Sequence, residues 1–178
     1  MAANSRSQTR CNMSESTIEN TFLKRHGGNA LRLGRNAAIC WRYGYFSPDV
    51  VYEDRVARLV TPDSTWIDVG GGRGIFPGNP QLARAVAERC HLLVSVDPST
   101  NVFHNPYAHE RVCSSLEEYG TTHLFDLATM RMVAEHIEQP SQTIAALYWL
   151  LKPGSRVIVY TVNRWSPTSI AADRKSVV

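Results

Sequence analysis

The sequence has no apolar run approaching the roughly 20 residues that cross a bilayer; its best is Val157-Ile158-Val159-Tyr160-Thr161-Val162. The N-terminus has no apolar core of the kind that directs secretion. Arg6, Arg10 and the serines around them have an organellar flavour, but Glu15 and Glu19 count against a transit peptide. A cytoplasmic chain without a membrane partner is expected. The four cysteines, Cys11, Cys40, Cys90 and Cys113, form no Cys-x-x-Cys pair. That spacing suits neither a zinc site nor a small disulfide scaffold, so free thiols and no metal are expected.

Runs of one charge are also missing. Residues 1–46 carry seven Lys or Arg against two Asp or Glu, and the remainder carries 12 against 14. The basic residues stand singly, which suits a solvated segment better than a nucleic-acid surface. Residues 1–20, rich in Ser, Thr and Asn and poor in large apolar side chains, read as a disordered leader. The 43% hydrophobic content of the 178 residues supports one globular domain.

What is present begins with an N-terminal helical segment over 21–63. Order is expected from about Ile18–Leu33 and is firmer at Ser47-Pro48-Asp49, where Ser47 can cap a helix opening on Pro48. Val51, Val56, Leu59 and Val60 supply its apolar face. Thr61-Pro62-Asp63 breaks it. Strands and helices then alternate. Strands are expected at Thr65–Val69, Leu92–Val96, Glu110–Cys113, Leu124–Thr129 and Arg156–Val162. A helix is expected over Pro80–Arg89 with Asn79 as N-cap, and Ser115 with Glu118 fits a capping box. A second helix carries the stripe Ile144, Leu147, Tyr148, Leu151 and ends at Lys152-Pro153-Gly154. This alternation predicts an α/β fold, a doubly wound and mostly parallel sheet with right-handed crossovers. Ligands of such sheets lie at the carboxyl ends of the strands, where the strand order reverses.

The first strand runs into Asp68-Val69-Gly70-Gly71-Gly72-Arg73-Gly74. Glycine permits a tight turn and lets a ligand lie against bare main chain. The second strand ends in Asp97, whose carboxylate can accept hydrogen bonds from both hydroxyls of a ribose. Turn and acid together specify an adenosine-type cofactor. A dinucleotide fingerprint requires a third glycine where Ile75 stands and a helix that opens at once on the pyrophosphate. Pro77 and Pro80 delay the helix here.

These segments resemble the class I S-adenosylmethionine-dependent methyltransferases of the type 11 group. Trp66–Gly74 is similar to their first motif and Val94–Ser99 to the strand bearing the ribose acid. Phe125–Thr129 with Val133–Pro140, and Leu150–Val159, are similar to the fourth strand and to the turn into the fifth. The likeness covers residues 64–167. It implies S-adenosylmethionine as cofactor, with Asp68, Gly70, Gly72 and Gly74 around its methionine end. It implies Asp97 on the ribose, Pro98 against the adenine, and Ser115 with the Leu116 backbone at the adenine edge. The family often has Asp where Ser115 stands, and Ile75–Asn79 departs from its usual earlier helix start.

Alternative roles stand beside these. Asp68 can instead support the glycine turn, and His136 is a weak candidate general base against a packing or capping role. Tyr43, Tyr45 and Phe46 can form a lid or pack the N-terminal helices. The expected reaction is in-line methyl transfer to a small-molecule acceptor, oxygen or carbon centred, since the Asn/Asp-Pro-Pro-Tyr/Phe segment of amino-group methylation is absent. A nicotinamide-dependent oxidoreductase and an inactive cofactor-binding fragment are the competing readings. The family's sheet continues past its fifth strand, so 64–172 reads as an incomplete methyltransferase domain lacking its C-terminal strands. Residues 173–178 back-translate to a string resembling a sequencing-library adapter and read as a non-native tail.

Overall fold

The computed structural model describes residues 18–163. The expectations for a leader before residue 18 and a tail after residue 172 lie outside that range. The first three residues of α1 (Ile18–Arg25) fall within the stretch assigned to the leader. Two further helices, α2 (Arg35–Tyr43) and α3 (Pro48–Leu59), complete the N-terminal segment. There follow β1 (Thr65–Val69), α4 (Pro80–Arg89), β2 (Leu92–Asp97), β3 (Glu110–Cys113), β4 (Phe125–Arg131), α5 (Pro140–Leu150) and β5 (Leu151–Tyr160). Short 3-10 turns lie at Ala30–Arg32, Thr100–His104 and Ala134–His136.

The five strands form one sheet in the order β3-β2-β1-β4-β5, with every pair parallel. Period-2 alternation along each strand divides the core between the two faces. Trp66, Leu93 and Leu127 point to the face covered by α3 and α4, where they meet Tyr52, Val56, Leu82 and Val86. Ile67, Val69, Val94, Val96, Ala128 and Met130 point to the other, where Leu147 and Leu150 of α5 cover them. Both faces are therefore apolar, as a doubly wound parallel sheet requires. Truncating a side chain as buried as Trp66 costs about 3–5 kcal/mol.

Some local expectations are corrected. In α3 it is Val50 (1% exposed), not Val51 (39%), that enters the core, and Ser47 makes no side-chain cap. The buried stripe of α3 also contains Glu53 and Asp54, which hydrophobic periodicity cannot register. Their charges are met by Arg25 and by Arg58. In α5, Ile144 (66%) and Tyr148 (74%) face outward, while Thr143, Leu147 and Leu150 are buried. That helix is apolar nearly all round, so its pattern does not select a face. It also ends sooner: Leu151 already pairs with Phe125, and a register shift precedes the Leu127–Arg156 pairing. Lys152-Pro153-Gly154 is thus an irregular strand start rather than a helix stop. Ser115 accepts from the Glu118 amide at 3.3 Å, but around a turn and not a helix.

Asn79 does more than cap α4. Its Oδ1 accepts from the Leu82 amide at 3.2 Å, while Nδ2 donates to Glu53 Oε2 at 3.0 Å and to the Thr21 carbonyl at 3.3 Å. One buried amide therefore ties α1 and α3 to α4. Burial raises the Glu53 carboxyl above the ordinary range, and Asn79 and Arg25 oppose that rise.

Candidate cofactor site

The strand order reverses between β1 and β4, so their carboxyl ends diverge and leave a crevice. The glycine turn fills the start of this crevice. Gly70 has φ +69° and Gly72 φ +44°, the left-handed region that glycine occupies without penalty. The Gly70 amide bonds the Val96 carbonyl at 2.7 Å, and the Gly74 amide bonds Gly71 at 2.9 Å. A Cβ on Gly70 would collide with Val133, and one on Gly71 with Ser95 and Asp68. At Gly72 a Cβ would face open space, its nearest neighbour being Asp97 Oδ2 at 3.8 Å. The first two glycines are therefore required by packing. Gly72 and Gly74 are not, and both line the crevice.

Asp97 closes the arrangement. Its Oδ2 accepts from the Gly72 amide at 2.9 Å and its Oδ1 from the Ser99 amide at 2.7 Å. Each carboxylate oxygen can accept two hydrogen bonds, so both retain capacity for a diol. The carboxylate is held in place by main chain, which lowers the entropy lost when a ligand meets it.

Two cavities flank the turn, and Gly70 lines both. One, of about 520 Å³, brings Pro98, Ser115 and Leu116 together with Val69, Val133 and His136. The other, of about 460 Å³, lies over Gly70–Gly74 and is closed by Phe76, Tyr107 and Arg131. The residues assigned to the adenine end thus share one cavity, and three of the four assigned to the methionine end share the other. The fourth, Asp68, lines neither. It is buried beneath the turn, where Thr129 donates to its Oδ1 at 2.6 Å while accepting from Trp66 Nε1 at 2.7 Å. Burial pushes its carboxyl up to about 7, helped by the charge of Asp97 and opposed by Thr129 and Arg131. His136 is exposed and sits in the adenine-side cavity. Tyr43 and Tyr45 are exposed, and Phe46 packs on Phe22 with ring centroids 5.3 Å apart.

Sequence reasoning missed Thr129, Tyr107, Val133 and Arg131. Thr129 was recoverable in principle, because parallel pairing of β1 with β4 sets it opposite Asp68. Arg131 ends β4, and Met132 after it has φ +56°, a strained value for a residue with a side chain. α4 opens only at Pro80, so no helix N-terminus follows directly on the turn to receive a pyrophosphate. Among the described residues no group of His, Cys, Asp or Glu is arranged to hold a metal ion, and no helix is long and apolar enough to cross a membrane.

Comparison with known proteins agrees with this geometry. A ubiquinone biosynthesis O-methyltransferase of Saccharophagus degradans is 30% identical over 117 residues, covering 60% of this chain and 47% of the relative. One of Pectobacterium carotovorum is 28% identical over the same length, with 48% of it covered. The chain thus spans about half the length of these curated relatives. Among solved structures, the N-methyltransferase NodS from Bradyrhizobium japonicum superposes with a TM-score of 0.51 at 18% identity, over 69% of this chain and 79% of that one. The plantazolicin methyltransferase BpumL, in complex with a pentazolic desmethylPZN analog and SAH, gives 0.53 at 16% identity, over 90% and 65%. These likenesses show the Rossmann-like methyltransferase fold. A family model described as a methyltransferase domain matches residues 43–175, and the chain belongs to that family.

Proposed function

We propose that this chain is the cofactor-holding part of an S-adenosylmethionine-dependent methyltransferase acting on a small-molecule acceptor in the cytoplasm. The observation that carries this is Asp97, which lines neither cavity itself but accepts from the Gly72 amide of one and stands in the chain between Val96 and Pro98 of the other. The residues fit such a ligand. Pro98, Ser115 and Leu116 would take the adenine, Asp97 the ribose, and the bare Gly72 main chain the amino-acid end. Asp68, bonded to Thr129, lies directly beneath Gly71. Bound there, the cofactor supplies the electrophilic methyl group.

The protein's own part is alignment and exclusion of water. The glycine turn, pinned by Val133 and Asp97, fixes the ligand's path across the crevice. Phe76, Pro77 and Tyr107 give the second cavity an apolar wall that keeps water from the transfer. No residue of the described chain need act as base if the acceptor is already ionised. His136 is in reach of the adenine-side cavity only, which argues against it as that base. The names of the curated relatives favour an oxygen acceptor. Calorimetric titration of S-adenosylhomocysteine is the test: micromolar or tighter binding supports this reading, and absence of binding refutes it.

A further inference from the structure

Between Glu19 and Asp49 the chain carries no acidic residue, yet it carries Lys24, Arg25, Arg32, Arg35 and Arg42. Glu53 takes Arg25. The other four are exposed, and among the described residues none of them is ion-paired. α2 stands in the middle of this stretch and buries no residue. Its inner side is held by Trp41, whose ring centroid lies 6.0 Å from that of Phe22. Ile39 and Tyr43, one on either side of Trp41 along the helix, point the opposite way, and both are exposed. Arg35 and Arg42, two helical turns apart, fall on one flank of that outer face. The Arg42 guanidinium carbon lies 5.9 Å from the centre of the Tyr43 ring. The 3-10 turn before α2 adds Leu31, which is 95% exposed. Asn29 Oδ1 accepts from the Leu31 amide at 2.9 Å, so the turn that presents this side chain is held. Along the chain these cations stand singly; the helix sets two of them beside an apolar stripe.

Such a stripe, edged by arginines and free of acids, matches the surface of an anionic bilayer. Acyl chains take the aliphatic side chains, the headgroup layer takes Tyr, and the phosphates take Arg. We propose that the outer face of α2, together with Leu31, docks on an anionic lipid surface. A nucleic acid would offer phosphates to the arginines but no apolar layer to Leu31 and Ile39. A surface contact needs no membrane span, and α2 at nine residues is not one. No residue of α2 lines either cavity beside the glycine turn, so the contact is separate from cofactor binding. α5 provides the contrast. It exposes Ile144, Tyr148 and Trp149 but carries no Lys or Arg, so nothing in it selects anionic lipid.

The test is flotation of the full chain with vesicles of phosphatidylglycerol and phosphatidylcholine in equal parts, and with vesicles of phosphatidylcholine alone. The floated fraction is expected to be at least about fivefold larger with the anionic vesicles, and to fall as salt is raised. Arg35→Gln combined with Arg42→Gln should lower it at least about threefold, and Leu31→Ser combined with Ile39→Gln should lower it as much. All four side chains are exposed, so an unchanged unfolding midpoint is expected and checks that the variants fold. The comparison of the two vesicles on the unaltered chain needs no variant at all. Tyr148→Gln on α5 is the control and should float as the unaltered chain does. Equal flotation with both vesicles, or none with either, overturns the proposal. Full flotation of either folded double variant overturns it too, as does a loss in Tyr148→Gln that matches theirs. Sedimentation equilibrium covers the remaining occupant: a dimer that Ile39→Gln dissociates, without vesicle binding, assigns this face to a second copy and overturns the lipid contact.

Discussion

Asp97 Oδ2 accepts a hydrogen bond from the Gly72 amide at 2.9 Å, so the acid that ends β2 and the turn that follows β1 are one unit. The residues stand 25 apart in sequence and meet because β1 and β2 pair in parallel with Val69 opposite Val96. Asp97→Ala removes the brace on the turn together with the acceptor proposed for the ribose. Its expected cost to S-adenosylhomocysteine binding is at least about 1.5 kcal/mol, from hydrogen bonds to a charged acceptor. An unchanged dissociation constant in a folded variant would take Asp97 out of the site.

The glycines divide by mechanism. Gly70→Ala meets both a left-handed backbone and the Val133 side chain, and should lower the unfolding midpoint by several degrees. Gly72→Val meets strain without a clash, because the space above it is open. Its larger effect should be on ligand affinity, the branched side chain standing where the ligand crosses. A Gly72→Val chain that binds normally would make the turn purely structural.

How much of this was legible in the sequence follows from what each feature depends on. β1, β2 and α4 were readable because apolar runs, Asn79 and Pro80 are local signals. The positions of the glycine turn and of Asp97 at strand ends were readable because main-chain geometry fixes them locally. The cluster of Trp66, Thr129 and Asp68 was not, since it joins residues 63 and 61 apart through a strand pairing. The burial of Glu53 and the outward face of α5 were hidden for the same reason: tertiary partners decide them.

Asp68 gives a pH prediction. Its folded carboxyl titrates at about 7, well above the ordinary aspartate value of about 3.9. Between those values the folded chain holds the proton more tightly than the unfolded chain does. Stability from this group is therefore complete below about pH 4, falls as pH rises toward 7, and levels off above it. The limiting slope is about 1.4 kcal/mol per pH unit. Asp68→Asn should flatten the dependence of denaturant midpoint on pH in that window; an undiminished slope would remove Asp68 as its source.

The buried Tyr52 hydroxyl lies against Thr129 but makes no hydrogen bond of normal geometry among the described residues, and burial together with the nearby Asp68 charge pushes its ionisation upward. An unsatisfied buried hydroxyl costs about 1–3 kcal/mol. Tyr52→Phe keeps the edge contact with Phe76 and the packing on Tyr160. It should leave the unfolding midpoint equal or higher. A loss above about 1 kcal/mol would show that the hydroxyl is bonded in solution.

Competitive calorimetry with S-adenosylhomocysteine and NADH bears most directly on what the crevice is built to hold. The delayed opening of α4 at Pro80 leaves no pyrophosphate seat, while Asp97, Pro98 and Ser115 suit an adenosine. S-adenosylhomocysteine is expected to bind with one-to-one stoichiometry and NADH at least about a hundredfold more weakly, a difference of about 2.7 kcal/mol. Equal or tighter binding of NADH would contradict the assignment of this crevice to a methyl-donor cofactor.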